Sequence, residues 1–311
     1  MRAVVVRSFG GPETLEIIDV PVPQAGPGRV RIRVEAAGVN PVDLATRAGA
    51  LVQFGLMTAR EVQGIGWDVA GVVEETGPGV DAFAPGDRVI GISDRLDVSL
   101  AGYAEQIVLD ADAVAPAPSS ATPAEAATIP LNGLTAAQAL DLADLREGQT
   151  LLVTGAAGGV GGYAVELAAA RGLRVVAVAG PQDEELVRKL GAEFFVPRGA
   201  EPAEAVRALV PGGVDGAIDA AVLGLPTLAA VRGGGSFVAV IGGAAPLPLR
   251  GIRVVNVWVR ADGTRLAELS RLVEEGRLTP RVAATLPLAE AAAAHERLAA
   301  GGLRGRLVLQ P

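Results

Sequence analysis

The segment Leu151–Gly162 reads LLVTGAAGGVGG. An apolar run enters a turn built from Gly155, Ala156, Ala157, Gly158, Gly159, Val160 and Gly161, and a helix is expected to leave it. This order suits one chemistry. Glycines let the backbone turn sharply and come close to a pyrophosphate, while the head of the next helix offers N–H groups and the positive end of its dipole to the phosphates. The spacing is GxxGxxG, not GxGxxG, and a glycine-rich stretch taken alone also fits a tight strand–helix turn that holds nothing. Its place between a strand and a helix, inside a repeated β/α pattern, points to a dinucleotide. The next strand ends at Ala179 and Gly180 with no acid at its tip for a ribose hydroxyl and no clear cation for a phosphate. Arg198, after the third strand, is either a partner for a 2′-phosphate or a solvated surface arginine. The balance leans to NADPH, with NADH possible.

Other chemistries are closed by composition. The 311 residues contain no cysteine and one histidine, so no thiolate nucleophile, disulfide, Cys-ligated metal or two-histidine metal site is available. The 27 basic and 35 acidic residues give a net charge of −8, which disfavours a nucleic-acid partner, since that binding needs clustered Lys and Arg. The long uncharged run Gly233 to Leu249 holds five glycines and two prolines and reads as strand and turn, not as a membrane span. The start, MRAVVVRSFGG, lacks the apolar core of a secretory signal. The expectation is a cytoplasmic protein without bound metal.

The elements that must position this turn follow from pattern. Residues 2–7, 29–36, 69–75, 88–92 and 104–109 are short β-branched runs punctuated by Gly-Pro and Pro-Gly pairs, as in a partly closed antiparallel sheet. Residues 113–123 (AVAPAPSSATP) read as a linker. Strands are then expected at 150–154, 174–179, 194–196, 216–219, 236–241 and 253–259, alternating with helices at 161–171, 183–190, 202–209 and 225–231. That alternation implies a doubly wound parallel sheet. A helix at 266–275, another at 288–300 and a strand at 307–309 lie beyond the completed dinucleotide fold, so the C-terminal piece should return to the first domain.

Short segments carry a resemblance: Ala36–Asp43 (AAGVNPVD), Gly66–Gly71 (GWDVAG), Pro85–Val89 (PGDRV), Gly102–Glu105 (GYAE), Gly133–Ala136 (GLTA), the Gly155–Gly161 turn, Leu190–Ala192 (LGA) and Gly305–Leu309 (GRLVL). Their order and spacing resemble the zinc-independent quinone oxidoreductase branch of the medium-chain dehydrogenase/reductase superfamily, over nearly the whole chain. The resemblance implies an α/β protein with a GroES-like β-rich catalytic domain over residues 1–120, completed by 265–311, and a Rossmann cofactor domain over residues 121–264. Zinc-dependent cousins carry Cys at the position of Asn40 and Gly-His-Glu at Gly66-Trp67-Asp68. With Asn and Trp at those ligand positions, the resemblance implies no zinc.

Without a Lewis acid, alcohol oxidation is disfavoured and acceptors that are already electrophilic, quinones and α,β-unsaturated carbonyls, are favoured. The expected reaction passes the nicotinamide hydride to such an acceptor in a dry cleft. Asn40 is either a polar contact to the acceptor or a cap before Pro41. Thr135 resembles the family threonine beside the nicotinamide, or is an ordinary helix hydroxyl. Ala220 and Ala221, and Ile241, Gly242 and Gly243, resemble cofactor-lining segments after the fourth and fifth strands. Relatives often place a tyrosine after an Arg-x-Gly; here Arg47-Ala48-Gly49-Ala50-Leu51 has none. His295 reads first as a surface or packing residue, and Asp43 and Asp68 as turn and cap residues; Trp67 and Tyr103 either wall the cleft or pack the core, and Phe54, Leu56 and Met57 either line an apolar substrate mouth or cover the core. Strand 253–259 is an apolar edge, expected to pair across a homodimer as in the resembled family. Two rival functions stand beside this one: an enoyl-thioester reductase of a biosynthetic pathway, and a non-catalytic NADPH-binding protein of the same fold.

Overall fold

The computed structural model describes residues 1–96 and 98–311, and the chain divides into two compact units. The first takes residues 1–131, 260–276 and 280–311, and the second residues 132–259 and 277–279.

The first unit opens with β1 (Arg2–Val6), β2 (Glu16–Asp19), β3 (Arg29–Val39), the helices α1 (Pro41–Arg47) and α2 (Ala50–Gln53), and β4 (Gln63–Gly64). It continues with β5 (Asp68–Thr76), β6 (Arg88–Ile92), β7 (Gln106–Asp110), β8 (Val114–Pro116) and α3 (Pro123–Ala126). Strand β3 organises this unit. Its sequence RVRIRV buries every second residue, as expected of a sheet with one face in the core. It pairs along its length with β5, through Arg29–Arg33 with β7, and at Ala37–Val39 with the chain's last strand. Val114–Pro116, inside the stretch read as a linker, pairs antiparallel with β6. Proline and alanine content misled there: a sheet edge accepts a proline at a strand's end, because no ladder N–H is demanded of it.

Helix α4 (Pro130–Ala143) leads into the second unit, which continues β9 (Thr150–Thr154), α5 (Gly159–Ala170), β10 (Arg174–Ala179), α6 (Glu184–Lys189), β11 (Phe194–Pro197), α7 (Pro202–Leu209), β12 (Val214–Asp219), α8 (Leu225–Ala230), β13 (Val231–Ala239) and β14 (Arg253–Asn256). The six strands lie in the order β11-β10-β9-β12-β13-β14, all parallel. This is the doubly wound order, with its reversal between β9 and β12. Buried on both faces, β9 is enclosed at every position and reads as a continuous apolar run flanked by threonines. Strand β14 ends at Asn256, not at 259; the chain then turns, with the Val257 N–H still donated to the Ala239 carbonyl.

The chain ends back in the first unit with α9 (Gly263–Glu274), β15 (Val282–Pro287), α10 (Ala291–Ala300) and β16 (Arg306–Gln310). Strand β16 runs parallel to β15 and antiparallel to β3.

Candidate functional site

In the second unit the glycine turn joins β9 to α5. Gly155 sits at φ 62°, in the left-handed region that favours glycine. Gly161 allows close approach: a Cβ there would lie 2.1 Å from the Gly155 carbonyl oxygen. Gly158, at the head of α5, is different. A Cβ there would meet only the Gly155 oxygen, at 3.1 Å. That contact is tight, and it is the single neighbour within reach at the glycine that heads the helix. Being a glycine, this N-cap brings no side chain of its own, and the first turn of α5 carries no acid. The bare helix head and its dipole end together fit the pyrophosphate of a dinucleotide.

A parallel sheet brings all its strand C-termini to one edge, and most of the residues expected at the cofactor follow those ends. The turn follows β9, Ala179–Gly180 close β10, Ala220–Ala221 follow β12, and Ile241–Gly243 follow β13. Arg198 comes directly after β11; its N–H is donated to the Ala179 carbonyl, and its exposed side chain has no ion pair among the described residues. Asp183 lies at the same tip, buried, with its N–H donated to the Gly180 carbonyl. Thr135 is buried within α4.

The loop after β12 is tied to the turn. Asp219 and Thr154, both buried, end adjacent strands, and the Thr154 hydroxyl donates to Asp219 Oδ1 at 2.6 Å. Asp219 accepts the N–H groups of Leu223 and Gly224, and Thr154 Oγ1 that of Ala221.

The first unit holds a buried polar cluster. Asn40 follows directly on β3 and caps α1: its N–H donates to Asp43 Oδ2 at 2.7 Å, and its side-chain amide donates to Asp68 Oδ1 at 3.0 Å. Asp68 opens β5 and also accepts the Leu131 N–H. Gly38 makes this possible, since a Cβ there would fall 2.4 Å from Asp68 Oδ1. Tyr103 donates its hydroxyl to Asp43 Oδ2 and lies 3.3 Å from His295 Nε2 on α10. Arg47 Nη1 approaches His295 Nδ1 at 3.3 Å. A guanidinium only donates, so Nδ1 accepts and Nε2 carries the proton toward Tyr103.

Electrostatics match this assignment. Burial, then the Arg47 charge, pull His295 down to about 4, so the ring is neutral near pH 7. Burial pushes Asp68 up to about 6, against the hydrogen bond from Leu131 and the Arg306 charge. Burial and the neighbouring Asp68 hold the Asp43 carboxyl well above the usual range. Asn40 therefore sits in its capping position with its amide engaged. His295, read as a surface or packing residue, is fully buried and hydrogen-bonded. No sequence signal reaches it, because its partners Arg47 and Tyr103 are distant in the chain. Among the remaining expected lining residues, Trp67 is half-buried, Met57 buried and Phe54 68% exposed.

Comparison with known proteins gives two family matches: the alcohol dehydrogenase GroES-like domain at residues 26–119 and the zinc-binding dehydrogenase family at residues 190–309. The quinone oxidoreductase of Mus musculus is 33% identical over 99% of this chain and 97% of its own length. The spectinabilin polyketide synthase system protein NorB of Streptomyces orinoci is 33% identical over 98% of this chain, which spans only 14% of NorB. Among solved structures, an NAD-dependent alcohol dehydrogenase superposes with a TM-score of 0.89 at 34% identity, covering all of both chains. A mycobacterial protein complexed with NADPH does so at 0.86 and 30% identity, again covering all of both. The donor set does not fit the zinc named by the second family. The chain has no cysteine, its one histidine is engaged by Arg47 and Tyr103, and the described residues contain no group of three His, Cys, Asp or Glu placed for a metal.

Proposed function

The chain belongs to the quinone oxidoreductase branch of the medium-chain dehydrogenase/reductase superfamily, and from that premise we propose that it is a zinc-independent, NADPH-dependent reductase of quinones or α,β-unsaturated carbonyls. The observation that carries the reading is the helix head itself: a glycine N-cap, Gly158, and a first turn without an acid, on the carboxyl edge of the parallel sheet. When bound, the nicotinamide supplies a hydride.

The chain's own residues bind and orient. The Gly155–Gly161 backbone holds the pyrophosphate through the helix head. Arg198, exposed beside the end of β10, takes the 2′-phosphate and favours NADPH; the NADPH complex of a related structure supports this, while another relative is described as NAD-dependent. Ala220–Ala221 and Ile241–Gly243 line the nicotinamide side, and Thr135 offers a hydroxyl there. Asn40, held by Asp43 and Asp68, fixes the corner between β3 and α1. With no metal to stabilise an alkoxide, the acceptor must bring its own electrophilicity, and water protonates the product.

Similarity to the polyketide synthase protein NorB keeps a second reading, an enoyl-thioester reductase. Following NADPH and NADH absorbance against quinones, simple enones and an enoyl thioester separates the two. Oxidation with quinones or enones supports the proposal. Turnover confined to the thioester favours the second reading, and binding without turnover across the panel favours a non-catalytic cofactor protein. Further parts of the proposal are a homodimer through the β14 edge and a cytoplasmic location. No helix of the described residues is long and apolar enough to cross a membrane.

A further inference from the structure

The loop Ala220–Gly224 carries features that its sequence does not require for turning alone. Val222 is a β-branched residue at φ 57°, a conformation such side chains rarely accept unless the surroundings impose it. Three apolar side chains, Val222, Leu223 and Leu225, stand exposed there, at 46%, 37% and 56%. Behind them the buried Asp219 carboxylate accepts the N–H groups of Leu223 and Gly224 and the hydroxyl of Thr154, and that hydroxyl oxygen accepts the Ala221 N–H. A Cβ on Gly155 would come within 3.3 Å of Ala220 and Ala221, so this loop and the glycine turn share a packed backbone contact.

Strand order gives the loop its place. The turn lies at the end of β9, β10 stands on one side of it and β12 on the other, and the order reverses between β9 and β12. A dinucleotide laid across that reversal puts its adenosine half toward β10 and its nicotinamide half toward β12. We propose that Asp219 and Thr154 form a latch that holds Ala220–Gly224 in its strained shape as the apolar wall against the nicotinamide half of the cofactor. Asp219 and Thr154 are positioning residues here; neither needs to touch the cofactor. The inference rests on the dinucleotide reading of the glycine turn.

Two isosteric substitutions test it. Asp219→Asn sets an amide NH2 against a backbone or hydroxyl donor, and Thr154→Val removes the hydroxyl without changing shape; Thr154→Ser restores it. Binding is measured by calorimetry on the full chain with two probes, NADPH and 2′,5′-ADP, the second of which lacks the nicotinamide half. Losing a charge-assisted hydrogen bond that holds the wall should weaken NADPH roughly tenfold in both Asp219→Asn and Thr154→Val. Affinity for 2′,5′-ADP should stay within about twofold, and Thr154→Ser should bind both probes as the unaltered protein does. Equal losses for both probes would mean a general disturbance of the sheet edge and would overturn the proposal, as would unchanged NADPH affinity. Should Asp219→Asn fail to fold, Thr154→Val alone decides between these outcomes. Unaltered protein that binds neither probe overturns the dinucleotide reading itself, and the latch with it.

Discussion

At Gly158 the helix head carries no side chain, and a Cβ there would press on a single backbone oxygen, that of Gly155, at 3.1 Å. Gly158→Val should fill the helix head, with the Gly155 carbonyl giving way by a few tenths of an ångström. We expect NADPH affinity to fall at least ~100-fold; unchanged affinity would contradict the site. The buried polar cluster of the other unit gives a pH signature. Between about pH 6.5 and 4 the unfolded chain protonates its histidine while the folded chain does not, so the His295 contribution weakens as pH falls. Asp68, raised from 3.8 to about 6, acts in the opposite sense: the folded state keeps its proton longer, so stability declines as pH rises through that window. Asp68→Asn removes the second contribution. Its cost in urea unfolding, relative to the unaltered protein, should be larger at pH 4 than at pH 7 by roughly 2 kcal/mol, and an equal cost at both would refute the assignment. Of these residues, sequence exposed the glycine turn, because strand, turn and helix adjoin. It left the Arg47–His295–Tyr103–Asp43 chain hidden, because each link depends on packing between elements far apart in sequence.

Among the elements, β16 has the most to hold together. It stands between β15 and the end of β3 that precedes Asn40, and Leu307, Val308 and Leu309 are fully enclosed. Burying three such side chains contributes about 6 kcal/mol, comparable to the whole stability of many domains. Deleting residues 306–311 should leave the first unit unable to fold, read as rapid proteolysis of residues 1–131; a protease-resistant product would count against this. The parallel strands were legible because sheets covered on both faces leave continuous apolar runs such as TLLVT and VVAVA. Strand β8 was not, since Val114–Pro116 lies among prolines, and β15 was not, since its VAATLP lacks alternation. Helix α4 also escaped the pattern, because it is apolar nearly all round and carries Pro130 and Gly133 in its first turn; burial on several sides, not an amphipathic stripe, is what stabilises it.

For the molecule as a whole, the edge position of β14 argues for self-association, because an unpaired edge invites a second strand. Sedimentation should give a dimer at micromolar concentration, and a monomer there would contradict the interface. The net charge of −8 is consistent with a small-molecule partner in place of a phosphate backbone. The central claim is that a hydride passes to an activated acceptor with no metal taking part. It is tested most directly by incubating the protein, treated with a strong chelator, with an enone and NADPH deuterated at nicotinamide C4, and locating the label in the product by NMR. The account predicts deuterium on the β-carbon, one equivalent of NADPH consumed per product, and no loss of rate on chelation. Product without the label, or activity lost with the chelator and restored by zinc, would contradict it.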